Sequence, residues 1–73
     1  MAQEIVKSPM PGIIKSIDVA VGDQINEGDT LLILEAMKME NPIVAPVGGK
    51  ISEVSIFQGQ SVKGGDRLIV IEN

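Results

Sequence analysis

The sequence predicts an all-β domain, a flattened barrel or sandwich of two four-stranded antiparallel sheets with an internal pseudo-two-fold. Three observations lead there. The chain repeats itself at an offset of 37 residues, with matches Pro9/Pro46, Gly12/Gly49, Ile14/Ile51, Gly22/Gly59, Gly28/Gly65, Asp29/Asp66, Leu31/Leu68 and Glu35/Glu72. The shared residues are mainly glycine, proline and strand apolars, the types that fix backbone geometry. Short runs rich in β-branched residues alternate with glycine-rich turn signals, and no helical period runs through any of them.

Each half reads as about four short strands. Residues 13–19 and their twins 50–57 carry the β-branched character of strands. Gly22-Asp23, Gly28-Asp29 and Gly64-Gly65-Asp66 mark turns beyond these strands, and Gly12, Gly22, Gly28, Gly49, Gly59 and Gly65 are read together as turn residues. Asp29 and Asp66 take matching turn positions, where a carboxylate bonds its own backbone and needs no catalytic role. Leu31-Leu32-Ile33-Leu34 and Leu68-Ile69-Val70-Ile71 are continuous apolar runs, as in strands covered on both faces; their length and flanking turns favour strand over buried helix. If strands 30–35 and 40–44 pair antiparallel, residues 37–39 form the tip of a tight hairpin. The two-fold makes that junction the counterpart of the termini, so the tip is expected at the far end from residues 1 and 73.

The 73 residues suit one small domain, 1–73, which by surface scaling buries only about 60% of what its unfolded chain exposes. Phe57 is the sole aromatic among 44% apolar residues, so Val, Ile, Leu and Met must build the core. Net charge is −4, with Lys7, Lys15, Lys38, Lys50 and Lys63 scattered along the chain, which argues against a surface that tracks nucleic-acid phosphates. Without cysteine there is neither disulfide stapling nor thiolate chemistry. The first residues lack the pattern of a signal peptide and no apolar run approaches bilayer-spanning length, so a soluble, cytoplasmic protein with no direct membrane insertion is expected. No nucleophile and base pair is visible, no metal-ligand cluster stands out, and the glycines lack the spacing and following helix of a phosphate loop.

The chemistry that remains centres on Lys38, within Glu35-Ala36-Met37-Lys38-Met39-Glu40. It alone among the lysines has large apolar residues on both sides. Lysine suits modification because its amine rides a flexible four-carbon stem and, once acylated, becomes a long neutral arm, whereas a guanidinium stays protonated. An alkylammonium must lose a proton before it attacks, so a partner enzyme has to help. Met37 and Met39 either offer soft surface to a partner or fill a gap at one end of the barrel. Glu35 and Glu40 either mark the hairpin for an enzyme or are solvated strand-end charges.

Glu35-Ala36-Met37-Lys38-Met39 resembles the biotin attachment motif of biotinyl (biotin carboxyl carrier) domains of biotin-dependent carboxylases, decarboxylases and transcarboxylases. The resemblance extends over essentially the whole chain through Ser8-Pro9-Met10-Pro11-Gly12, Val21-Gly22-Asp23, Glu27-Gly28-Asp29-Thr30-Leu31 and Gly64-Gly65-Asp66. It implies that a biotin protein ligase joins biotin, through a biotinyl-adenylate, to the amine of Lys38, with Glu35, Ala36, Met37 and Met39 as flanking recognition residues. It further implies that the domain carries a carboxyl group between a biotin carboxylase or decarboxylating site and a carboxyltransferase site, itself inert. The chain departs from the family's pattern in having no room for the protruding thumb of some acetyl-CoA carboxylase carriers, and in Val47-Gly48-Gly49, where an acidic residue often precedes the glycine. A lipoyl carrier shares the duplicated fold, but typically has an acidic residue before its lysine and a small one after. Met37 and Met39 at those places favour biotin. An unmodified interaction module is the other alternative.

Overall fold

All regular structure in residues 2–73, the part of the chain that the computed structural model describes, is β-strand. In chain order the strands are β1 (Gln3–Lys7), β2 (Gly12–Ile17), β3 (Gln24–Ile25), β4 (Thr30–Ala36), β5 (Met39–Val44), β6 (Gly49–Val54), β7 (Ser61–Val62) and β8 (Arg67–Glu72). They form two four-stranded sheets, ordered β1-β8-β6-β3 and β5-β4-β2-β7, antiparallel throughout. The expected sandwich and strand count hold. Met1, expected opposite the hairpin tip, lies outside the described residues. No helix among the described residues is long and apolar enough to cross a membrane.

The halves exchange strands. β3 leaves the first half to pair with β6, and β7 leaves the second to pair with β2. Turn bonding repeats at the same offset as the sequence: Asn26 N and Lys63 N each donate to the carboxylate of Asp29 or Asp66 at 2.8 Å. Those two aspartates are therefore turn-closing residues, as their positions suggested. Gly22 N donates to Ile51 O at 2.8 Å, and Gly59 N to Ile14 O at 2.7 Å, so each half's turn is anchored on the other half's strand.

Two sequence readings need correction. The apolar run of β8 is buried throughout, Val70 included, as expected of a strand covered on both faces, but that of β4 is not, and the adjacent buried pair that opens each run has another cause. Leu31 in β4 and Leu68 in β8 are extra residues at register shifts, and such a bulge turns two successive side chains inward. Leu31, Leu32, Leu68 and Ile69 are all fully buried, while Ile33, on the outer side, stays half-buried. Gly12 and Gly49, read as turn residues, instead open strands β2 and β6. A Cβ on Gly12 would lie 2.6 Å from Glu35 O, and one on Gly49 2.4 Å from Glu72 O. Close backbone approach, not a turn, demands glycine at both, and at Gly49 a φ of 155° adds to the demand. Gly22, with φ of 98°, does occupy a left-handed turn.

The core lies between the sheets. Ile14, Leu32, Leu34, Ile51, Ile69 and Ile71 from the central strands are fully buried, joined by Val62 of the short strand β7. This aliphatic packing makes the ends of β4 and β2 a rigid base for whatever projects beyond them.

Candidate functional site

The β4–β5 ladder runs without interruption from Leu32↔Ile43 to Ala36↔Met39, so the connection is only Met37 and Lys38. Met39, expected at the tip, already belongs to β5. A two-residue hairpin loop follows the right-handed twist of its strands when both central residues take positive φ, which is why Asn-Gly is the common choice. Here Met37 has φ 53° and Lys38 φ 63°, and they are the only positive-φ residues other than glycine among those described. Left-handed backbone costs an ordinary residue roughly 1–2 kcal/mol, so two adjacent cases mark a turn whose side chains are kept despite their conformation.

The pseudo-two-fold offers no second copy of this turn. At the position equivalent to Ala36↔Met39, Ala2 and Asn73 exchange hydrogen bonds of 3.1 and 3.0 Å, and the chain does not connect there.

Lys38 is exposed at the tip. Neither ion pair among the described residues, Lys15 with Glu40 and Arg67 with Glu53 at 3.7 Å, involves it. Its amine is thus open to a reaction partner. Met37 and Met39 are 89% and 65% exposed, so they do not fill a gap in the barrel end. Instead they flank the lysine with apolar surface. Ala36 is only 5% exposed and forms the buried base of the turn.

Glu35 and Glu40 face each other across β4 and β5 and are both exposed. Like charges placed so repel. Lys15, the extra residue at the β2 bulge, answers them by hydrogen bonding to the Glu40 carboxylate. That bond first, and the Glu40 and Glu35 charges beside it, hold the Lys15 ammonium above its ordinary value against a smaller opposing effect of desolvation. Glu40 is therefore tied into the sheet surface.

A shallow open hollow of about 660 Å³ lies against the turn, lined by residues 11–13, 35–38 and 61–63. Glu35, Ala36, Met37 and Lys38 are thus brought together with segments that sequence reasoning did not include. One signal pointed to part of them: Gly12 and Gly49 match in the repeat yet precede Ile13 and Lys50, whereas the turn glycines precede Asp or Gln. The exposed lysine and the clear space around it fit a covalently attached group.

Residues 4–71 match the protein-family model described as biotin-requiring enzyme. Among curated proteins, the chain is 60% identical over 43 residues to the methylmalonyl-CoA decarboxylase subunit gamma of Veillonella parvula, covering 59% of this chain and 33% of that subunit. It is 54% identical over 44 residues to the biotin carboxyl carrier protein of Streptococcus mutans, covering 60% of this chain and 34% of that protein. Among solved structures, the urea carboxylase of Kluyveromyces lactis superposes with a TM-score of 0.92 at 33% identity, over 99% of this chain and 6% of that enzyme. The matches thus reach only about a third of the curated relatives' length, or less. The fold and the hairpin define a carrier domain of the biotinyl and lipoyl kind. The chain belongs to the family of biotin-requiring enzymes, and biotin is its cofactor.

Proposed function

We propose that residues 1–73 form one biotin carboxyl carrier domain, with biotin linked by an amide to Nζ of Lys38. The observation that carries this reading is the two-residue turn in which Met37 and Lys38 alone, among the described non-glycine residues, adopt positive φ. A strained turn that keeps an exposed lysine at its apex is built to present that lysine. In the loading step the Lys38 ammonium gives one proton to a base on the ligase, and the neutral amine attacks the acyl carbon of biotinyl-adenylate; the amide bond forms as the acyl-phosphate bond breaks, AMP leaves and the nitrogen releases its second proton. Bound biotin supplies a ureido nitrogen that holds and releases a carboxyl group. The chain's part is to hold Lys38 clear of the barrel on a rigid base, so that the four-carbon stem lengthens the reach of the arm. Glu35, Met37 and Met39 form the surface that a biotin protein ligase and the partner active sites meet, with the methionine thioethers as adaptable apolar contacts, while buried Ala36 acts through the packing beneath them.

The relatives' names support partners of the carboxylase and decarboxylase type, and the reading assigns the carrier one site that loads the carboxyl group and a carboxyltransferase or decarboxylase site that removes it. The domain itself is then not the catalyst. Adenylate activation draws on ATP, so loading needs a compartment that supplies it, and the location proposed for this chain is the cytoplasm. Peptide sequencing by mass spectrometry after separate incubations with biotin ligase and lipoyl ligase tests the reading. Biotin on Lys38 alone is expected; lipoyl loading, or biotin on another lysine, would contradict it.

A further inference from the structure

The packing at the base of the turn assigns a role to a residue outside the attachment motif. Gly12 opens β2, is paired with Val62 of β7 on one side, and on the other lies against the end of β4. A Cβ there would come within 2.6 Å of Glu35 O, 3.0 Å of Leu34 Cδ1 and 3.2 Å of Ala36 Cβ. Its φ is not in the left-handed region, so glycine is needed for space and not for backbone freedom. The atoms that fill that space belong to the last three residues of β4, immediately before the turn. Met37 and Lys38 lack the glycine or asparagine that would hold positive φ on its own, so their conformation depends on how β4 is seated.

We propose that Gly12 is a positioning residue for biotin loading, which lets the β2 backbone come under residues 34–36 and so fixes the direction in which the turn presents Lys38. The proposal rests on Lys38 as the attachment residue. The pseudo-two-fold supplies an internal control. Gly49 meets Glu72 O, Ile71 Cγ2 and the Asn73 Cβ at 2.4, 2.9 and 3.0 Å, the same contact at the end of the molecule that has no turn. Its φ of 155° adds a conformational demand, so replacing it disturbs the fold at least as much.

The experiment compares wild type, Gly12→Ala, Gly49→Ala and Lys38→Arg as full chains. Thermal unfolding, backbone amide NMR shifts of residues 36–39 in the unmodified protein, and kcat and KM for biotin incorporation by a biotin ligase are read below every Tm. Both glycine variants are expected to lose Tm. Gly12→Ala alone is expected to move the resonances of residues 36–39 and to lower kcat/KM for loading by about tenfold or more, as misplacing a reacting group does. Equal loading by the two variants, or unmoved turn resonances in Gly12→Ala, would overturn the proposal. If Gly12→Ala does not fold, Ala36→Gly opens the same contact without adding an atom. Moved resonances at residues 37 and 38 with slower loading then support the role, and wild-type values for both refute it. Loading of Lys38→Arg would refute the attachment assignment instead, while the NMR comparison would still decide whether Gly12 seats the turn.

Discussion

At the residue scale, Met37 and Lys38 hold a conformation that their side chains disfavour, and Met37, 89% exposed, gains no packing in return. Asparagine tolerates left-handed backbone far better than methionine. Met37→Asn is therefore expected to raise stability by up to about 1 kcal/mol, read as a higher Tm, while slowing biotin loading. An unchanged or lower Tm would mean that the turn carries no strain at this position. The motif around Lys38 was legible in the sequence because its residue types are unusual: one cation between two exposed thioethers. The positive φ values were not, since neither residue is of a type that ordinarily signals them.

At the element scale, β4 joins what the sequence showed to what it hid. Its apolar run was readable as strand, but the bulge at Leu31 that buries two neighbours was not, because bulges leave no fixed residue signature. The two-residue strands β3 and β7 were equally hidden, being too short to show alternation, and only their crossing to the opposite half's sheet gives them partners. On the outer surface, Lys15 of β2 reaches Glu40 of β5 over the intervening β4. The Glu40 carboxylate raises the Lys15 ammonium above its ordinary value. For a cation raised in this way, the pair's stabilisation is fully present below the unfolded-state value and is lost as pH climbs through the folded-state one. Wild type is thus expected to lose Tm relative to Lys15→Gln on titration to above about pH 10, by a small and salt-sensitive margin because the pair is exposed. A difference that stays constant through the alkaline range would remove the pair from the stability of the sheet.

At the scale of the whole molecule, the duplication organises everything except the turn that breaks it. The repeat was visible in matched glycines, a proline, strand apolars and carboxylates, yet the exchange of strands between halves was not, since matching residues do not say which half a strand pairs with. Asp29 and Asp66 make the same 2.8 Å bond in equivalent turns. Asp29→Ala and Asp66→Ala are each expected to cost about 0.5–1.5 kcal/mol, with similar shifts in denaturant midpoint. A large inequality would show that the halves are not energetically equivalent. The hairpin at residues 37 and 38 is where the symmetry ends and where we propose that the carrier role resides. The most direct test of that role is the intact mass of wild type and Lys38→Arg, each incubated with biotin, ATP and a biotin ligase. One biotinyl increment on wild type and none on a folded Lys38→Arg is the predicted result; an increment on the variant, or none on wild type, would contradict it.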